Sequence, residues 1–248
     1  MRKRIAVVGG NEEWMDSLRQ AAQDTDALLA PVRPGETLPS GTAAVLAATG
    51  QAEGALDAAL EASREHEGLL GLIADAVACR EGIALGSSER VREHAARFAK
   101  ALELSPEDTL TLERAALLRD IGKIKIDNDV LIKKSVLSYD EWALLKAHSR
   151  LGAELLEQRG VCRDILEIVW HHHESYDGDG YPDHLERDAI PYLARAMKIL
   201  DVYCAMTSPR HYRRSVSSRE EAIEYLRSER GKHFDPGLID AFLDANLG

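Results

Sequence analysis

His171-His172-His173-Glu174-Ser175-Tyr176-Asp177-Gly178-Asp179-Gly180-Tyr181-Pro182 is the stretch on which the reading of this chain turns. Adjacent imidazoles are borderline-soft metal ligands. The acidic, aromatic turn that follows carries glycines that let backbone come close to a ligand. A helix ending in paired histidines beside such a loop fits a metallophosphoesterase corner. The triplet alone fits a solvated helix end equally well, so the neighbouring segments have to decide.

Working outward, Leu118-Arg119-Asp120-Ile121-Gly122-Lys123 and Lys146-Ala147-His148-Ser149-Arg150-Leu151-Gly152 precede this stretch. Ile199-Leu200-Asp201-Val202-Tyr203 and Thr207-Ser208-Pro209-Arg210-His211-Tyr212-Arg213 follow it. In this order the segments resemble the HD-GYP family, metal-dependent hydrolases of the bacterial second messenger cyclic di-GMP. The resemblance runs from about Leu72 to about Phe242. It implies a mainly α fold, an HD-type helical bundle.

The family's site residues carry over one by one. Two metals there share the bridging carboxylate of the HD pair, roughly 3.5–4 Å apart, and clamp both oxygens of a phosphodiester displacement. The resemblance makes Asp120 that bridge, with Lys123 as the lysine that neutralises phosphate charge. It gives His148, His172 and His173 to the second metal and Asp201 to the first. His171 is extra to the pattern, and helical geometry turns it about a hundred degrees from His172. The first metal's two imidazoles are missing. Arg119 stands for the histidine of the HD pair, and Ser87 for an upstream histidine four residues before Val91. Cys204 stands where many members carry a second Asp.

Charge arithmetic says what Arg119 does to such a site. Two unit charges ~4 Å apart interact by roughly 4 kcal/mol at an effective dielectric near 20. Arg119 opposite a divalent ion therefore costs about 8 kcal/mol, against about 16 for a second divalent ion. The guanidinium can replace the first metal as a fixed cation held by Asp120 and Asp201. The expected cofactor is a divalent transition metal (Fe, Mn, Zn or Ni), at most one per chain.

On the ligand side, the resemblance gives Gly180, Tyr181, Arg210 and Arg213 to the bases and phosphates. A Tyr can stack on a base and an Arg can grip phosphate with two donors. Glu174 and Asp177 are read as loop-fixing groups.

The remainder of the sequence is consistent with this. A formal net charge of −11 excludes a general binder of nucleic acid polymers, which needs a basic footprint. Cys79, Cys162 and Cys204 match no zinc or redox spacing and read as packing residues of a reducing cytoplasm. No apolar run reaches membrane-spanning length. Residues 1–52 alternate apolar runs at 4–8, 27–32 and 43–48 with a helical stretch at 12–23, a small, truncated receiver-like α/β subdomain without a phosphoacceptor carboxylate. Residues 53–71 read as a linking helix broken at its glycines, and 72–248 as the helical domain of about seven helices. Ser105-Pro106, Ser138 with Glu141, Ser218 with Glu221, and Asp235-Pro236 are helix starts.

Together these readings predict a protein of cyclic di-GMP signalling with a degenerate metal site. It binds a cyclic dinucleotide or a partner and hydrolyses weakly or not at all. A working phosphodiesterase and another HD-type phosphohydrolase are the alternatives. A GGDEF-type cyclase and a second copy of the chain are the protein partners left open.

Overall fold

The computed structural model describes residues 3–8, 27–32, 42–47, 68–79, 81, 83, 86–133, 135–208 and 217–245. Three strands come first: β1 Lys3–Val8, β2 Ala27–Val32 and β3 Thr42–Ala47. Ten α-helices follow among the described residues: α1 Gly68–Cys79, α2 Ser87–Ala101, α3 Pro106–Leu118, α4 Asn128–Leu131, α5 Tyr139–Lys146, α6 His148–Glu157, α7 Arg163–His171, α8 Tyr192–Thr207, α9 Arg219–Ser228 and α10 Pro236–Asp244. A 3-10 turn, Ile121–Lys125, follows α3.

The strands form a parallel sheet in the order β2-β1-β3, with Ile5 opposite Leu29 on one side and Ala44 on the other. Pro31 lies inside β2 opposite Val7. An edge strand tolerates a missing N–H. The helix expected at 12–23 lies outside the described residues, as does the linking segment before Gly68.

The helix starts are set by their caps. Ser105 accepts from the Asp108 amide with Pro106 in the first helical position. Ser138 with Glu141 and Ser218 with Glu221 form reciprocal capping boxes, and Asp235 caps α10. Each cap satisfies donors that a helix start leaves open, a contribution of about 1 kcal/mol. α2 has no cap of its own, since its N-cap is Gly86. Asp75, reaching over from α1, accepts from the Gly86 and Ser88 amides at 2.7 and 3.0 Å instead. No local pattern announces a cap that arrives from eleven residues away.

The helices outnumber the seven expected because the chain bends at places the sequence does not mark. α5 and α6 are separate helices meeting at Ala147. Gly71, read as a break, lies within α1. A Cβ there would come 3.3 Å from a Glu89 carboxylate oxygen, so its smallness serves packing of α1 on α2. Cys162, expected in the core, is exposed at the start of α7.

The core joins α2, α3, α6, α7, α8 and α10. Phe98, Tyr203 and Phe242 meet edge to face, with Phe98 and Phe242 centroids 5.2 Å apart, and Leu112, Leu156, Ile168 and Ile199 are fully buried around them. Against this core the 3-10 turn packs on α6 at a single point of backbone contact. A Cβ on Gly122 would lie 1.9 Å from the His148 carbonyl oxygen and 2.5 Å from the Gly152 nitrogen. That contact fixes the Asp120 segment against the His148 segment.

Gly122→Ala should therefore lower stability by about 3 kcal/mol in urea denaturation, at the upper end of overpacking costs. Gly86→Ala, at φ 78° with open space around its Cβ, should cost only about 1 kcal/mol. Equal effects would show that the Gly122 contact relaxes at little cost.

Candidate metal centre

Two chain segments bring the three imidazoles together. His148 opens α6, and His172 and His173 follow the end of α7. Their candidate ligand atoms all lie within 4.8 Å of one another. His148 Nε2 and His173 Nε2 are 3.2 Å apart. Two nitrogens each about 2.1 Å from one ion would lie roughly 3 Å apart, so this spacing fits a shared metal.

The tautomers fit as well. His148 Nδ1–H donates to the Leu145 carbonyl at 2.7 Å, and His172 Nδ1–H to the Val169 carbonyl at 2.8 Å. A carbonyl only accepts, so each Nε2 carries the lone pair. The Nε2 of His172 is buried and meets no protein partner. A buried, unpaired acceptor is costly, and a metal ion would satisfy it. Burial lowers the pKa of His172 to about 4, with His148 adding to the effect. Burial also lowers His148 and, more strongly, His173, whose two imidazole neighbours add to it. All three rings are thus neutral near pH 7, the state a metal requires.

Beside the trio lies a cluster of ion pairs. Arg119 Nε donates to Asp201 Oδ1 at 2.7 Å, and its Nη2 lies 3.4 Å from Asp120 Oδ2. A third donor, Nη1, reaches the Ala116 carbonyl. Asp120 Oδ1 meets Lys123 Nζ at 2.9 Å and lies 3.6 Å from His148 Nε2. Burial alone would raise both aspartates. Lys123 and then Arg119 hold Asp120 well below the usual carboxylate range, and Arg119 lowers Asp201. The guanidinium thus spans the two carboxylates that the resemblance gives to the first metal.

Ser87 and Arg119 line one pocket, together with Cys204, Ser208 and an apolar wall of Val77 and Val91. Its empty space is about 530 Å³, part of it open to solvent. Burial pushes the Cys204 thiol up to about 12 against the opposing pull of Arg119, so it stays protonated.

The GYP loop is built differently from expectation. Gly180 packs on its own chain, since a Cβ would come 2.1 Å from the Ser175 nitrogen. The Tyr181 ring stacks on His173, with centroids 4.7 Å apart. His171 turns away from the trio and meets Asp183 through Nε2 at 3.1 Å. Glu174 accepts from the Asp183 amide, and Asp177 from the Asp179 amide. Arg210 and Arg213 lie outside the described residues.

Two residues join the site without any motif to announce them. Glu81, in the turn after α1, holds Lys123 Nζ at 2.8 Å. Lys198 donates from Nζ to the His173 carbonyl and to Ser175 Oγ, each at 3.0 Å. Burial lowers Lys198 to about 8, against the pull of Asp201 and Glu174. Its place three residues before Asp201 on α8 was the available signal.

The HD domain family pattern matches residues 71–238. The chain belongs to the HD domain family. It is 36% identical over 255 residues to the cyclic di-GMP phosphodiesterase response regulator RpfG of Xanthomonas campestris pv. campestris (strain 8004), covering 96% of this chain and 66% of that one. It spans 33% of the length of two further curated relatives. A solved structure of a cyclic GMP-AMP specific phosphodiesterase from V. cholerae matches with TM-score 0.57 and 20% identity, over 71% of this chain and 47% of the other. An HDG"Y"P protein from Bdellovibrio bacteriovorus matches with TM-score 0.56 and 17% identity, over 79% and 70%. These two likenesses concern the fold. Among the described residues no helix of this chain is long and apolar enough to cross a membrane.

The imidazole tautomers lead to a pH expectation for chelator-treated protein. His172 takes a proton near 6.5 when unfolded and only near 4 when folded. Its contribution is intact above about pH 6.5 and is lost as pH falls toward about 4, a change of roughly 3 kcal/mol. Urea denaturation across that window should show the decline, and His172→Asn should make it shallower, leaving the part due to His148 and His173. An equal slope in the variant would assign the decline to other groups.

Proposed function

We propose that this chain is of the HD-GYP type and binds one divalent transition metal (Fe, Mn, Zn or Ni) through His148, His172 and His173, with Asp120 at the edge of that site. It recognises a cyclic dinucleotide of the cyclic di-GMP class and hydrolyses it weakly or not at all. The observation that carries this reading is Arg119, whose guanidinium contacts Asp201 at 2.7 Å and Asp120 at 3.4 Å. A divalent ion between those carboxylates would have to displace a buried cation that already satisfies them. The imidazole trio has no such competitor.

When bound, the metal supplies Lewis acidity toward a phosphoryl oxygen. The chain's own residues supply the remainder. Asp120 and Lys123 are the candidate catalytic pair of the resemblance. Lys123 already shares its ammonium between Asp120 and Glu81, which limits what it offers a phosphate. Gly180, Tyr181, Arg210 and Arg213 are the candidate ligand contacts. The names of relatives that act on cyclic di-GMP and 3'3'-cGAMP support this ligand class. The N-terminal 1–52 and the linking 53–71 are read as an input unit ahead of the helical domain 72–248, which would signal to a protein partner. A second reading, a working one-metal phosphodiesterase, draws on the same relatives' names and on the complete imidazole trio.

Restoring the missing imidazoles separates the two readings. Ser87 and Arg119 line the same pocket, so Ser87→His with Arg119→His should raise metal content from about one toward two per chain. Cyclic di-GMP hydrolysis should rise at least tenfold with it. Arg119→Ala should cost roughly 3 kcal/mol, because it leaves Asp201 without its cation, and should restore no activity. Metal analysis after purification without chelator, alongside turnover by chromatography, reads all three. Two metals per chain and rapid hydrolysis in the unsubstituted protein would refute the proposal. Rapid hydrolysis with one metal would favour the second reading.

A further inference from the structure

Five of the seven exposed large hydrophobic residues among those described fall in one short stretch: Ile132, Val136, Tyr139, Trp142 and Leu144. That stretch joins the Asp120 turn to the His148 helix, so both of its ends are fixed at the candidate metal centre. Helix α5 is held firmly within it. Glu141 receives Lys133 Nζ at 2.6 Å and caps through the box with Ser138. At 48% exposure the Trp142 indole projects from a rigid element.

One helical turn further on is Lys146, on the same face as Trp142 by its i, i+4 spacing. Its ammonium lies 5.2 Å above the Tyr181 ring, and that ring stacks on His173. A continuous column therefore runs from the imidazole trio through Tyr181 and Lys146 to the exposed face of α5. Arg119, Lys123 and Lys133 each meet a carboxylate, whereas among the described residues Lys146 meets none. An exposed cation and an exposed indole about 6 Å apart along a helix match the charge and stacking surface of one nucleotide.

We infer that the Trp142–Lys146 face of α5 is a nucleotide subsite, in which Lys146 holds a phosphate beside the metal centre and Trp142 stacks on the attached base. The inference rests on the cyclic dinucleotide reading above and deepens it. It also accounts for Tyr181, which the sequence assigned to base stacking and which the structure shows stacked on His173. Continuity with that column favours a small ligand over a second copy of the chain as the occupant.

Binding of cyclic di-GMP to the full-length, metal-loaded chain, measured by calorimetry, tests this. Trp142→Ala should weaken binding about tenfold, the usual effect of losing one base–aromatic stack, while Trp142→Phe stays within about threefold of the parent. Lys146→Gln should weaken binding by a similar factor. Metal content and thermal midpoint should be unchanged in all three, since Trp142 and Lys146 are exposed. In a Trp14→Phe, Trp170→Phe background, cyclic di-GMP should quench the remaining Trp142 emission. Parental affinity in Trp142→Ala would overturn the subsite while leaving the dinucleotide reading intact. Unchanged affinity with loss of a concentration-dependent dimer would reassign the face to a second copy and likewise overturn it. No binding of cyclic di-GMP by the unsubstituted chain would overturn both readings.

Discussion

The site depends on a place where two backbones touch. Gly122 and Gly152 let the 3-10 turn lie directly against the first turns of α6, with no side chain between them. Asp120 stands two residues before one glycine and His148 four before the other. Their 3.6 Å separation is thus set by main-chain packing, the stiffest part of the fold. His172 and His173 reach the same point because α7 packs on α6, with a Val169 methyl against Gly152. Remove the close approach and the carboxylate and the imidazoles become independent groups on separate helices.

Around that fixed point, electrostatics decides what the site can hold. The imidazoles sit where burial keeps them neutral, and the carboxylates sit where cations keep them charged. The two halves meet at Asp120, whose oxygens face Lys123 on one side and Arg119 on the other. A neutral nitrogen cluster attracts a metal through its lone pairs, while a compensated carboxylate pair has little residual charge to attract one. The imidazole half is thus suited to a metal, while the carboxylate half is occupied by the Arg119 guanidinium.

Much of this was legible in the sequence because its signals are local or ordered. Caps at Ser105, Ser138, Ser218 and Asp235 act within one helical turn, so three or four residues suffice to recognise them. The order of Asp120, His148, His172, His173 and Asp201 carried the site. What escaped was non-local or concerned the use made of a residue. Asp75 caps a helix on another element, and Glu81 reaches Lys123 from forty-two residues away. Gly71, read as a break, and Gly180, read as a ligand contact, each make room for the protein's own atoms. The break at Ala147 has no glycine or proline to mark it.

The hydrogen bonds from His148 and His172 to the carbonyls three residues before them bear on how this centre can change over time. In many metal sites a neighbouring carboxylate orients the imidazole, and a single substitution there alters which nitrogen carries the proton. Here the orienting group is main chain, present whatever side chains stand at positions 145 and 169. Point mutation can delete one of these histidines outright, but it cannot easily leave one in place with the wrong proton. Decay of such a half-site is all or nothing, ligand by ligand. That is the pattern expected if, as the sequence resemblance implies, Ser87 and Arg119 stand where two of the family's imidazoles would be.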